Sequence, residues 1–156
     1  MDDSRLRRDL IEVLEGKGAH VGVGAAFAKL QPEHRAARGG NDGHTVWEEL
    51  EHLRIAQEDI LRYTLDPSWT SPTWPDGYWP SVQTPTDEQW QASVTGFRSD
   101  LDEVIALARD PARDLTAEIP HGEGRSYLRQ ILLVADHNAY HLGQVIEIRR
   151  LLGAWT

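Results

Sequence analysis

Apolar residues recur at helical spacing in four long stretches of the chain, separated by segments where that period breaks down. The first, Asp3 to Glu15, places Leu6, Leu10, Ile11 and Leu14 on one face and stops at Gly16-Lys17-Gly18. A shorter piece, Val21 to Leu30, predicts one or two helical turns, weakened by Gly22 and Gly24. Gln31 to Gly43 is polar and contains glycines, and predicts a loop. The second long stretch, His44 to Leu65, holds Val46, Leu50, Leu53, Ile60 and Leu61 on one arc and ends before Asp66-Pro67. The third opens at Thr86, an N-cap residue followed by Asp87, Glu88 and Gln89, and runs to Arg109 ahead of Asp110-Pro111. Pro111 to Gly124 reads as a second loop with an extended piece at Leu115 to Ile119. The fourth stretch, Ser126 to Leu152, is the longest and most apolar; Arg149 and Arg150 suit its C-terminal dipole, and Gly153 follows as the terminating residue. Four amphipathic helices of about 20 residues joined by loops predict an all-α fold, a four-helix bundle.

The connection between the second and third helices breaks the pattern differently. Asp66 to Pro85 holds five prolines together with Trp69, Trp74, Tyr78 and Trp79. Proline forbids a helix interior, and the aromatic rings argue against a solvated linker. A loop this long inside one domain is either functional or folded down by its own side chains.

Length and charge narrow the function classes. A chain of 156 residues fits one domain, 1–156, within the roughly 100–200 residues over which a single core commonly closes. Its net charge of −9 argues against a nucleic-acid or anionic-membrane partner, since both require a basic footprint. No apolar run approaches the ~20 residues that span a bilayer, and Met1-Asp2-Asp3-Ser4-Arg5 has no apolar segment behind it to act as a signal peptide. A cytoplasmic location is the default expectation. The chain has no cysteine, which removes thiolate ligands and protein thiol nucleophiles.

Seven histidines remain as the first candidates for chemistry. His137 and His141 stand four apart on the fourth helix, where four residues advance by ~6 Å and ~40°. Both rings therefore project from one face, among Leu133, Val134, Gln144, Val145, Ile148 and Leu152. Two neighbouring imidazoles on an apolar face need partners for their inward nitrogens, and a divalent cation satisfies both; backbone carbonyls or waters are the alternative. A catalytic metal takes three protein ligands and keeps an open position. The candidates for the third are His20, His34, His44, His52 and His121. His52 lies toward the edge of the second helix's apolar arc, as a ligand at a helix seam would, whereas the others fall in loops or at a helix start.

Several motifs fail. A His-Glu-x-x-His protease needs Glu after the first histidine, where this chain has Asn138. Di-iron bundles need paired Glu-x-x-His motifs; Glu49-Leu-Glu-His52 matches once, as chance allows on a charged helix, and Val134 stands in the corresponding place before His137. No nucleophile elbow and no phosphate-binding glycine loop is present.

The chain resembles the DinB-like superfamily of metal-binding four-helix bundles. The resemblance rests on His52 within Trp47-Glu-Glu-Leu-Glu-His-Leu53, on Ala135-Asp-His-Asn-Ala-Tyr-His-Leu-Gly-Gln144, on Arg149-Arg-Leu-Leu-Gly-Ala-Trp155, and on Ser71-Pro-Thr-Trp-Pro-Asp-Gly-Tyr-Trp-Pro80. It implies three histidine ligands at His52, His137 and His141, a bound divalent metal, and a small-molecule substrate. Characterised relatives include S-transferases and isomerases that use bacillithiol or mycothiol, so a low-molecular-weight thiol is an implied cosubstrate. Relatives often dimerise through bundle helices, which implies a homodimer. Three imidazoles suit Zn, Ni, Fe or Cu. A metal-dependent S-transferase or hydrolase is the expected activity; a non-catalytic metal-binding stress-response module is the alternative.

The residues around the three histidines give further candidates. Gln144, one turn past His141, is placed to hold a water or substrate, or else bonds another helix. Glu48 shares a face with His52 and is placed to orient that ring or act as a base, or else is a solvated helix charge. Tyr140 offers a substrate-facing hydroxyl or a core aromatic ring, and Asp136 projects away from the metal face. The loop 66–85 is expected to be ordered. It begins at the end of the second helix remote from His52, a separation that favours its rings capping the distant end of the core over bordering the metal cleft.

Overall fold

Capping chemistry sets the ends of the long helices. The computed structural model describes residues 3–40 and 43–155. Met1 and Asp2 of the N-terminal stretch, Asn41 and Asp42 of the 31–43 segment, and Thr156 lie outside the described residues. Six helices occur among those described: α1 (Asp3–Leu14), α2 (Val23–Phe27), α3 (Pro32–Arg35), α4 (Val46–Leu65), α5 (Asp87–Arg109) and α6 (Tyr127–Leu151). The chain is all-helical. Its only pairings of strand type among the described residues are the isolated bridges Arg38–Thr45 and Glu118–Ser126, so the extended piece expected at Leu115 to Ile119 amounts to one bridge. The predicted 31–43 loop contains α3, a single turn that Pro32 starts by supplying the fixed φ of a first helical position.

Thr45 and Glu48 form a reciprocal capping box that starts α4, and Thr86 and Gln89 form another at α5. Ser126 caps α6 by accepting from the Arg129 N–H. At the other end, Gly153 takes a positive φ of 65°, the Ala154 N–H reaches the Arg149 carbonyl, and the Gly153 N–H reaches that of Arg150. That pair of bonds is a Schellman motif, and it needs the left-handed conformation that glycine adopts without a Cβ penalty. No helix among the described residues is long and apolar enough to cross a membrane.

α4 packs against both α5 and α6, α1 packs across α5 and α6, and α2 and α3 cover the ends of α6 and α4. Leu50, Leu53 and Leu61 from α4, Phe97 from α5, and Ile131, Val134 and Val145 from α6 are essentially closed to water. Each such side chain contributes about 1.5–3 kcal/mol of burial free energy. Two arginines are buried as carbonyl clamps: Arg7 donates to the carbonyls of Ala108, Asp110 and Arg113 at and just past the end of α5, and Arg149 to those of Ala25, Ala26 and Ala154. The α4–α6 seam carries His52 from one helix and His137 and His141 from the other.

The 66–85 segment is folded down onto α4. The indole of Trp69 and the hydroxyl of Tyr78 both donate to the Asp59 carboxylate, at 2.8 and 2.7 Å. Further back along the helix, the Trp47 indole donates to the Val82 carbonyl at 2.7 Å. The loop thus leaves α4 at its C-terminal end and returns along it toward the N-terminal end. A short 3-10 turn at Asp76–Tyr78 lies within this return. Gly77 permits it, because a Cβ there would stand 2.9 Å from Pro72 Cβ.

Candidate metal centre

His52 comes from the middle of α4, and His137 and His141 from successive turns of α6. Packing of α4 on α6 brings the three rings together at the seam. One ring nitrogen from each lies within 4.8 Å of the others, and the Nε2 atoms of His52 and His137 are 3.1 Å apart. Ligands about 2.0–2.1 Å from a tetrahedral zinc stand roughly 3.4 Å from one another, so this spacing is close to that of a bound set. His52 and His141 are buried and His137 is half-buried.

Acceptor-only partners assign the protons on two of the rings. His52 Nδ1 donates to the Tyr78 carbonyl at 3.0 Å, and His141 Nδ1 donates to Glu49 Oε2 at 2.7 Å. A neutral ring carrying its proton on Nδ1 presents an Nε2 lone pair, and in His52 that lone pair faces the cluster. Burial depresses the pKa of His137 to about 4, helped by the neighbouring His141 and His52. Burial also lowers that of His52, partly offset by the bond to Tyr78. Both rings are therefore neutral near neutral pH, each keeping one ring proton and one free lone pair, the state a metal requires.

Glu49, a residue whose sequence context predicts a charged helix surface, also lies against this cluster. The Glu49-x-x-His52 match looked like chance on a charged helix surface, yet Glu49 is 0% exposed and lies against His141. Its second oxygen, Oε1, has no hydrogen-bond partner. A buried carboxylate needs compensating positive charge. A cation held among the three rings would supply it through His141, in a carboxylate–histidine–metal arrangement. The donor set fits such an ion: three imidazoles, two fixed tautomers and one buried counter-charge. The signal available in sequence was position, since Glu49 shares the apolar arc of α4 with Leu53 and Ala56.

The loop also reaches the site, against the expectation that helix length would keep it away. Trp79 stacks on His52 with ring centroids 4.2 Å apart and planes inclined by 12°. His44 covers the other face of Trp79 at 4.2 Å and 13°. Helix length does not separate the two because the loop doubles back along α4. His44 precedes the helix and has no place in the three-histidine group. His20, His34 and His121 also stay outside it among the described residues, and His121 donates instead to the Tyr63 carbonyl.

The other candidates separate clearly. Glu48 is buried, not solvated, and its carboxylate accepts from the Thr45 N–H and from Arg38, which leaves it a capping residue. Tyr140 is 68% exposed, not in the core, and sets its ring edge-on to His141 with centroids 5.0 Å apart. Gln144 is half-buried one turn beyond His141, and Asp136 faces solvent as expected. Asn138 lies behind the site, donating to Gln57, which in turn donates to the Phe97 carbonyl and ties α6 through α4 to α5.

The sequence model of the DinB superfamily matches residues 23–145, a span that begins at α2 and takes in all three histidines. No curated protein and no solved structure matches the chain. With the family model covering most of the chain and a three-histidine cluster lying inside the matched span, the protein belongs to the DinB superfamily.

Proposed function

We propose that this chain is a metal-dependent enzyme in which His52, His137 and His141 hold one divalent ion, of Zn, Ni or Fe, through ring nitrogens. The scaffold is a single domain in which α1, α4, α5 and α6 make a four-helix bundle of the DinB type. The observation that carries the reading is the convergence of three ring nitrogens within 4.8 Å, with His141 backed by a fully buried carboxylate. Three protein ligands, not four, favour a catalytic over a structural centre, because structural zinc sites close with four.

The ion, when bound, supplies positive charge that lowers the pKa of a water or a thiol reaching its open position. The protein's part is preorganisation. Tyr78 and Glu49 fix which nitrogen of His52 and of His141 faces the centre. Glu49 balances charge without itself meeting solvent. Tyr140, exposed at the edge of His141, presents a hydroxyl to a ligand arriving from solvent, and Gln144 offers an amide one turn further along the same helix. The chain has no cysteine, so S-transfer here draws its sulfur from a low-molecular-weight thiol cosubstrate; hydrolysis of a small molecule is the activity that needs no cosubstrate.

Calorimetric titration of the purified apoprotein with Zn²⁺, followed by turnover assays with bacillithiol, mycothiol and glutathione against electrophiles, tests the reading. It expects one ion per chain and turnover that depends on that ion. Wild-type protein without a stoichiometric site refutes it, and a filled site without turnover against thiols or hydrolysable substrates reduces it to metal binding alone.

A further inference from the structure

The geometry around His52 carries more than ligation. Both constraints on this ring come from the 66–85 loop: the Tyr78 carbonyl takes its Nδ1 proton at 3.0 Å, and the Trp79 indole lies flat on its face at 4.2 Å. The same loop is fastened to α4 on either side of His52, by Asp59 toward the C-terminal end and by Trp47 toward the N-terminal end. His44 backs Trp79 from outside, and its Nδ1 stands 3.7 Å from Glu48 Oε2 in the capping box. The indole is therefore held on both faces, and the ring it presses on points Nε2 at His137.

We infer, building on the metal-centre reading, that Trp79 is a positioning residue for His52 and that the 66–85 loop and the bound ion are thermodynamically linked. An imidazole bound to a cation through Nε2 has a more strongly donating Nδ1–H, so its bond to the Tyr78 carbonyl strengthens on loading. The positive charge it shares also favours contact with the face of an indole. An ion thus stabilises the folded-down loop. Linkage requires the converse by the same factor, so the seated loop raises affinity for the ion. With the loop lifted, His52 loses the carbonyl that fixes its tautomer and the plane that fixes its rotamer, while His137 and His141 keep their helix-borne positions on α6.

The test uses the full-length protein with Zn²⁺ and Co²⁺ as probes. Trp79→Leu weakens Zn²⁺ binding about tenfold, the lower end of what loss of a supporting group around a metal ligand costs. It also shifts the visible bands of the Co²⁺ form, and Trp79→Phe, which keeps a flat face, recovers most of both. In the wild type, saturating Zn²⁺ slows amide exchange across residues 76–82, a readout independent of any substitution. Unchanged Zn²⁺ affinity and Co²⁺ spectrum in Trp79→Leu overturn the inference and leave the centre standing, as does loop exchange indifferent to Zn²⁺. Failure of the wild type to bind either ion overturns the centre and the linkage together.

Discussion

The two sides of the candidate centre are built by different kinds of structure. On one side, α4 and α6 deliver His52, His137 and His141 by helical repeat, each ring standing on a backbone whose ends are capped. On the other, the 66–85 loop delivers the Tyr78 carbonyl and the Trp79 ring by hydrogen bonds to side chains spread along α4. The helical side places donors; the loop side and Glu49 fix their tautomers and rotamers. Ligands can thus come from rigid elements while much of their orientation comes from an irregular segment held by a few polar contacts.

Removing a ligand should separate these roles most sharply. His141→Ala is expected to abolish stoichiometric metal binding, measured by elemental analysis after dialysis, because two histidines no longer define a site. Retention of one ion per chain would take His141 out of the centre.

Glu49→Gln comes next. The substitution keeps the shape, removes the charge and weakens the support of His141. Zn²⁺ affinity should drop about 10- to 100-fold by competition titration. Thermal stability of the apoprotein should hold or rise, because an uncompensated buried carboxylate has been removed. A stability loss with unchanged affinity would make Glu49 a packing residue.

On the loop side, Asp59→Ala takes away the shared acceptor of Trp69 and Tyr78. A loss of about 1–2 kcal/mol in denaturant unfolding is expected. Zn²⁺ affinity should fall by only a few-fold, since Tyr78 and Trp79 keep their contacts with His52. Thr45→Ala, which deletes half of the α4 capping box, should cost about 1 kcal/mol and leave metal affinity alone.

A pH series adds a condition without mutation. The native pKa of His137 is depressed to about 4 against an unfolded value of 6.5, and that of His52 is also lowered. Between those limits the unfolded chain binds more protons than the native one. Apoprotein stability should therefore climb as pH rises from about 4 to 6.5 and level off above, seen in chemical denaturation at stepped pH. His137→Gln should flatten that slope.

The same division explains what could be read from sequence. Helix ends are local chemistry: Thr45, Thr86, Ser126 and Gly153 act on groups within a few residues, so α4, α5 and α6 stand within about two residues of their expected bounds. The 137/141 pair is equally local, since spacing alone puts both rings on one face. Glu49 was misjudged because its partner, His141, is 92 positions away, and a glutamate beside Glu48 and Glu51 looks like surface charge until α6 covers it. The loop's course was hidden for the same reason. Nothing periodic in 66–85 reveals that Asp59 and Trp47 draw it back along α4, and helix length bounds its course only for a loop that continues outward. Single-turn α3 was missed because four residues are too few for a period.

X-ray absorption at the zinc edge on wild-type protein loaded with one equivalent of Zn²⁺ tests the central claim most directly. The account predicts three imidazole nitrogens at about 2.0–2.1 Å with lighter scatterers completing the shell, and loss of that imidazole signature in His137→Ala. A shell of oxygens alone, or an imidazole shell that survives removal of His137, would contradict it.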